Sequence, residues 1–266
     1  MKTFIVDAFT ADPFCGNPAG VCFIDDAFEP GKFLPIAREL GFSETAFLQA
    51  TDSPDTWLIR FFSPVMEIPL CGHATIAAAA VLFEEAGLPA LSFVNTDGLR
   101  IPIRRLGNEI GMDFPVYKTV SAHVPESLLE ALGLETVRSV RFNAETKILM
   151  LEIEKTEVLG KLQPDYSALR ASHNSINGVL VTAASNEDLY DYHCRYFWPW
   201  SGTNEDPATG GIQTFLAPFW AKKLGKRELR SFQSSWRTGT MALSVQEDSV
   251  LIRSNARIVL AGETRI

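Results

Sequence analysis

Glu44, His73 and Asp206 stand at positions where the other half of this chain carries no ionisable group, and together they make a set able to move a proton. Residues 60–87 run Arg60-Phe61-Phe62-Ser63-Pro64, then Glu67-Ile68-Pro69-Leu70-Cys71-Gly72-His73, then an apolar stretch ending at Gly87. Residues 195–225 run Arg195-Tyr196-Phe197-Trp198-Pro199, then Glu205-Asp206-Pro207-Ala208-Thr209-Gly210-Gly211, then an apolar stretch ending at Gly225. Self-similarity over such a distance marks a duplicated structural unit. Shared residues then report on the fold, and polar residues present in one copy are candidates for chemistry. Asp206 faces Ile68, His73 faces Gly211, and an ungapped extension backwards sets Glu44 against Val179.

Each candidate has a plainer alternative. Glu44 opens an apolar strand, Ser43-Glu44-Thr45-Ala46-Phe47-Leu48, where a half-buried carboxylate is poised for proton exchange near neutral pH. The alternative is a solvated glutamate at a strand end. Asp206 before Pro207 also suits an Asx turn, and His73 also suits a satisfied core histidine. Glycine opens both long apolar helices, Gly72-His73 in one copy and Gly210-Gly211 in the other. Such starts let an anion approach free backbone amides, or they merely permit tight strand-to-helix turns. The device occurs twice, with His73 and Asp206 beside it, and that favours a site for a small carboxylate between two related domains.

Cys71 invites a thiol racemase reading, but its partner position is Thr209, which cannot serve as the second thiolate base. A packing role suits it better. His123, His173 and His193 stand in no metal-ligand spacing, so no metal site is expected. Gly16-Asn17-Pro18-Ala19-Gly20 lacks the spacings of a nucleotide loop and reads as a turn bordering the cleft.

The elements that must position these groups follow from periodicity. Short β-like runs at 3–9, 20–24, 44–49 and 56–62 are separated by Gly, Pro and Asp. A helix is expected over 31–40. Residues 73–86 form an Ala-rich helix apolar on nearly every face, which has to be buried all round; a curved sheet wrapped around it does that. Strands at 91–95, 99–104 and 109–114 complete the first unit. The second repeats the plan with strands at 148–153, 178–183 and 190–197, a helix over 212–224, and strands at 228–232, 240–245, 249–253 and 257–260. Amphipathic helices near 125–132 and 166–172 lie outside it. Pro218, awkward inside a helix, predicts a kink or a longer starting turn.

The fold class is therefore α+β, with two pseudo-symmetric domains, each a curved β-sheet or barrel around a central helix. The domains are expected at 1–117 and 118–266, with the option that the last strand returns to the first domain.

Bulk composition excludes several classes. The 266 residues are 46% hydrophobic and 21% charged, as in a globular protein. A net charge of −8 without a basic block argues against nucleic-acid and anionic-membrane partners. Asp7 interrupts the N-terminus before a signal core forms, no apolar run reaches the roughly 20 residues of a membrane span, and four scattered cysteines make no disulfide frame. A cytoplasmic location is expected.

Val6-Asp7-Ala8-Phe9-Thr10, Gly16-Asn17-Pro18-Ala19, Ser43-Glu44-Thr45, Pro69-Leu70-Cys71-Gly72-His73-Ala74-Thr75, Met112-Asp113-Phe114-Pro115 and Asn204-Glu205-Asp206-Pro207-Ala208-Thr209-Gly210 occur in order over essentially the whole chain. In this the sequence resembles the PhzF-like phenazine-biosynthesis isomerase family. The resemblance implies a diaminopimelate epimerase-like fold, a site between the domains, no cofactor, and commonly a homodimer. In the isomerase that names the family, a glutamate moves a proton between ring carbons, assisted by a histidine and an aspartate. Those roles fall on Glu44, His73 and Asp206, with Asn17, Ser43, Gly72, Thr209, Gly210 and Gly211 expected around the substrate. Two departures are visible: the family often continues T-G-S-A-H, where this chain has Thr209-Gly210-Gly211-Ile212-Gln213, so backbone amides take over from a side-chain hydroxyl, and the Cys71 position resembles the epimerase branch more than the phenazine enzyme.

The expected function is a cofactor-independent isomerase that shifts a proton, and hence a double bond, in a small carboxylate-bearing substrate. An epimerase or racemase of an amino or hydroxy acid is the alternative, followed by a binding protein that kept the cleft without turnover.

Overall fold

The apolar runs and turn signals become elements in a computed structural model that describes residues 1–201 and 203–265. The first half contains β1 (Lys2–Ala8), β2 (Asn17–Ile24), α1 (Phe33–Leu40), β3 (Thr45–Ala50), β4 (Thr56–Phe62), β5 (Glu67–Ile68), α2 (Gly72–Ala86), β6 (Ala90–Val94), β7 (Arg100–Leu106) and β8 (Glu109–Pro115). Strand β2 runs parallel to β3 and β4 parallel to β6, each across an intervening helix. The β1–β2, β3–β4, β4–β5, β6–β7 and β7–β8 pairs are antiparallel.

The second half contains β9 (Val120–Ser121), α3 (Glu126–Leu132), β10 (Ser139–Asn143), β11 (Ile148–Glu152), α4 (Thr156–Lys161), α5 (Tyr166–Ala171), β12 (Gly178–Ala184), β13 (Tyr192–Trp198), β14 (Thr203–Asp206), α6 (Gln213–Leu224), β15 (Glu228–Gln233), β16 (Gly239–Val245), β17 (Ser249–Ser254) and β18 (Ala256–Glu263). The same scheme recurs: β11 runs parallel to β12 and β13 parallel to β15, while β12–β13, β13–β14 and β15–β16 are antiparallel.

By contacts the chain forms two units, one of Met1–Asp113 with the segment from Leu251 on, the other of Phe114–Val250. In the first, β18 pairs antiparallel with β1 from Lys2 to Ala8, and β1, β2, β3 and β18 all pack on α2. That helix is apolar all round for this reason: ten of its side chains between His73 and Phe83 are buried. Gly87 stops it in the left-handed region, donating its N–H to the Phe83 carbonyl. In the second unit α3, α4 and α5 press Leu128, Leu132, Leu159 and Leu169 onto Leu149, Leu151, Val179, Val181 and Phe197.

Two sequence expectations change in detail. Residues 156–161 form a helix that was not expected, a short one whose single buried side chain is Leu159. The second central helix does not open at Gly210-Gly211; a tighter turn precedes it, with Gln213 N–H bonded to Gly210 O and Leu216 N–H to Ile212 O, and the α-helix begins at Gln213. Pro218 lies inside α6, and its ring nitrogen cannot bond the Thr214 carbonyl. The backbone N–H of Tyr117 takes that carbonyl instead, at 2.9 Å.

Candidate functional site

The strand ladders give the duplication a register. Arg60 pairs with Phe47 and Arg195 with Val181, while Ile68 pairs with Phe61 and Asp206 with Tyr196. Asp206 is thus the counterpart of Ile68, as the sequence match has it. Glu44 is not the counterpart of Val179. The β12–β13 connection is one residue longer than β3–β4, so Thr45 matches Val179 and Glu44 matches Gly178. The correction sharpens the asymmetry. A Cβ built on Gly178 would stand 2.5 Å from the Tyr196 ring, so the second unit has an aromatic ring where the first has a carboxylate.

In both units an arginine clamps the loop before the central helix. Arg60 holds Glu67 through two bonds of 2.8 and 2.7 Å, and Arg195 holds Glu205 through two of 2.7 Å. A bidentate guanidinium–carboxylate pair fixes orientation as well as distance. An amide braces each loop further on: Asn95 Nδ2 donates to Pro69 O at 2.8 Å, and Gln233 Nε2 to Asp206 O at 2.6 Å. These shared parts set where the unshared residues sit.

In the first unit the loop ends at Cys71, and α2 starts with His73 in its first turn. The ring is buried, with 7% of its surface exposed, and Glu44 beside it is 8% exposed. Glu44 Oε2 lies 3.3 Å from His73 Nε2, and Ser43 Oγ lies 3.4 Å from the same nitrogen. On the other side of the ring, Asn17 Nδ2 and Cys71 Sγ lie 3.3 and 3.4 Å from Nδ1. Burial holds the His73 pKa below its ordinary value; the Glu44 charge opposes this but is the smaller effect. A neutral imidazole that accepts from Asn17 at Nδ1 carries its proton on Nε2, directed at Glu44.

The approach of Asn17 is built into the preceding turn. Asp7, itself buried, accepts the Phe14 N–H at 2.7 Å. Gly16 has φ +69°, and a Cβ there would come within 2.0 Å of the Ala8 carbonyl oxygen. Only glycine passes through.

In the second unit, Asp206 is 8% exposed. It accepts from Thr209 Oγ1 at 2.5 Å, and its own carbonyl is held by Gln233 Nε2 and by Ser235 Oγ at 3.3 Å. Thr209 N–H donates to Gln233 Oε1 at 2.9 Å. Gln233 and Ser235 are positioning groups that sequence reasoning missed, because they lie at the end of β15 and just after it, outside the repeated motifs. Asp206 also acts on Tyr196, across the ladder, whose phenol is pushed well above its ordinary range by burial first and by that carboxylate second.

The first amides of α2, at Gly72, His73 and Ala74, have no acceptor among the described residues, and neither do those of Gly210 and Gly211. Each unit therefore holds part of the expected set: Asn17, Ser43, Glu44, Gly72 and His73 in the first, Asp206, Thr209, Gly210 and Gly211 in the second. Among the described residues no helix is long and apolar enough to cross a membrane.

Comparison with known proteins gives the family and the fold. The model of the phenazine biosynthesis-like protein family matches residues 6–264. The chain belongs to that family. A phenazine biosynthesis-like domain-containing protein 1 of Mus musculus is 39% identical, and an uncharacterized isomerase of Pseudomonas aeruginosa 37% identical, each over 98% of both chains. The crystal structure of a PhzF family protein from Enterococcus faecalis covers 100% of this chain and 99% of its own, with a TM-score of 0.92 and 32% identity. A probable proline racemase from Agrobacterium radiobacter, at 11% identity and TM-score 0.62 over 100% of this chain and 93% of its own, shares the fold. The α+β fold is thus that of the PhzF family and of its racemase and epimerase neighbours.

Proposed function

We propose that this PhzF family member is a cofactor-independent isomerase that moves a proton, and with it a double bond, within a small carboxylate-bearing substrate. Glu44 takes a proton from one carbon. The electrons of that C–H bond form a new C=C, the existing C=C shifts, and Glu44 returns the proton at its far end. His73 and Asp206 hold the polar substituents of the substrate, and the open amides of Gly72, Gly210 and Gly211 hold its carboxylate. The observation that carries the reading is the buried Glu44–His73 contact of 3.3 Å, in a unit whose duplicate has Gly178 and Gly211 at the matching positions.

Glu44→Gln keeps the shape but cannot carry a proton. It should lower kcat by about 10²–10⁴-fold while ligand affinity and folding stay nearly unchanged. In deuterated water the wild-type enzyme should place hydrogen on the product carbon with only partial solvent label, since a buried carboxylic acid exchanges slowly. Turnover of a confirmed substrate by Glu44→Gln at the wild-type rate would refute the assignment.

A second reading, the epimerase or racemase, is supported by one contact: Cys71 Sγ stands 3.4 Å from His73 Nδ1, close enough for a thiol to serve as a proton donor or acceptor. The counterpart of Cys71 is Thr209, which is engaged with Asp206, so the reading lacks its second thiolate.

A further inference from the structure

Spacing along the chain hides a cluster that the fold assembles. Glu44, Cys71 and His73 each offer one ligand atom, all within 4.8 Å of one another, and all three residues are buried. We propose that they form a binding site for a thiophilic divalent cation, Zn²⁺ or Co²⁺, which takes up the atoms that proton transfer needs and thereby arrests it. This rests on the isomerase reading only for its consequence, inhibition; the binding itself does not depend on it.

The Glu44–His73 pair already has the spacing such an ion requires, and Cys71 is the neighbouring thiol. Tetrahedral zinc with N and O ligands at about 2.0–2.1 Å sets those atoms about 3.3 Å apart, and a sulfur at about 2.3 Å stands about 3.6 Å from the nitrogen. Here Nε2 and Oε2 are 3.3 Å apart, and Sγ and Nε2 are 3.9 Å apart. Sγ stands nearer Nδ1, at 3.4 Å, so the Cys71 side chain has to turn about its Cα–Cβ bond to bring sulfur to the Nε2 edge, where Glu44 already stands. One thiolate, one carboxylate and one neutral imidazole balance a doubly charged ion. On binding, Cys71 releases its thiol proton to solvent, the imidazole proton moves to Nδ1, and Nε2 turns its lone pair to the metal. A water fills the fourth position. Because Gly178, Thr209 and Gly211 occupy the matching places in the second unit, the stoichiometry should be one ion per chain.

The test is a titration of metal-free, reduced protein with Co²⁺ alone, read by absorption and by equilibrium dialysis. The wild type should bind one equivalent with the intense visible bands of tetrahedral cobalt and a thiolate-to-cobalt charge-transfer band, and Zn²⁺ should displace it. Cys71→Ala and Cys71→Ser should both lose the charge-transfer band. His73→Gln and Glu44→Gln should weaken binding at least tenfold, whereas Cys194→Ala should bind as the wild type does. With a confirmed substrate, Zn²⁺ should inhibit the wild type at one equivalent. The absence of saturable one-to-one binding, or a charge-transfer band that survives in both Cys71 variants, would overturn the site. Neither result would bear on the effect of Glu44→Gln on turnover without metal, so the two readings fail separately.

Discussion

Around His73 stand Asn17, Ser43, Glu44 and Cys71, and burial is the larger influence on its charge. Its folded pKa is depressed, so the unfolded chain binds this proton more readily than the native one. Stability linked to His73 is fully present above the unfolded value of about 6.5 and falls as pH drops below it. His193 is shifted the same way, also by burial first. Each should contribute a slope of at most about 1.4 kcal/mol per pH unit. Denaturant midpoints taken between pH 8 and pH 5 should fall less steeply in His73→Gln than in the wild type; an unchanged slope would show that the native site accommodates imidazolium. Cys71 separates the two enzymatic readings. If it only packs and flanks the ring, Cys71→Ala keeps turnover of a confirmed substrate within about tenfold, whereas a loss of a thousandfold with the fold intact would establish the thiol as an acid or base. At this scale the sequence was informative because duplication provides an internal control: Glu44, His73 and Asp206 differ from their counterparts. Gln233 and Ser235 were not legible, since a glutamine and a serine near a strand end carry no pattern until the fold brings them to the Asp206 carbonyl.

Among the elements, the two central helices and their clamped loops were the clearest features, because residues 73–86 are too apolar to be exposed and the arginine–glutamate spacing repeats. Two details required the ladders. A one-residue difference between β3–β4 and β12–β13 moved the Glu44 match from Val179 to Gly178, and a loop insertion before a hydrophobic strand leaves no trace in an ungapped alignment. The α6 start moved to Gln213 because a glycine pair permits several turns and does not select one. The clamps themselves are unequal. Arg195 and Glu205 are 10% and 8% exposed at their side chains, against 33% and 32% for Arg60 and Glu67. Arg195 also donates to the Leu159 and Leu162 carbonyls at the end of α4. Removing one partner of a buried pair strands the other charge, at about 3–5 kcal/mol, whereas more exposed pairs are worth about 0–1 kcal/mol. Arg195→Ala should therefore destabilise by about 3–5 kcal/mol in urea melts, and Arg60→Ala by clearly less. Equal losses would mean that loop clamping, not burial, sets the energy.

At the scale of the whole molecule, the two units differ in continuity. The second is one stretch of chain, 114–250, with its own apolar cluster. The first takes in the segment from Leu251 on, and β18 covers both an edge of β1 and a face of α2. A fragment 1–113 would leave the β1 edge unpaired and part of an apolar helix bare, which favours aggregation. The termini meet in the same unit: the Met1 amino group donates to Thr264 O at 3.1 Å, and Thr264 N–H to Met1 O at 3.0 Å. A permuted chain that runs 251–266, a short Gly-Ser linker, then 1–113 should restore what the fragment lacks, since closing a short loop costs little entropy. We expect fragment 114–250 to melt cooperatively with near-ultraviolet circular dichroism, 1–113 to show neither, and the permutant to recover both. Failure of 114–250 to fold, or a permutant no better ordered than 1–113, would show that neither unit holds its structure without the other.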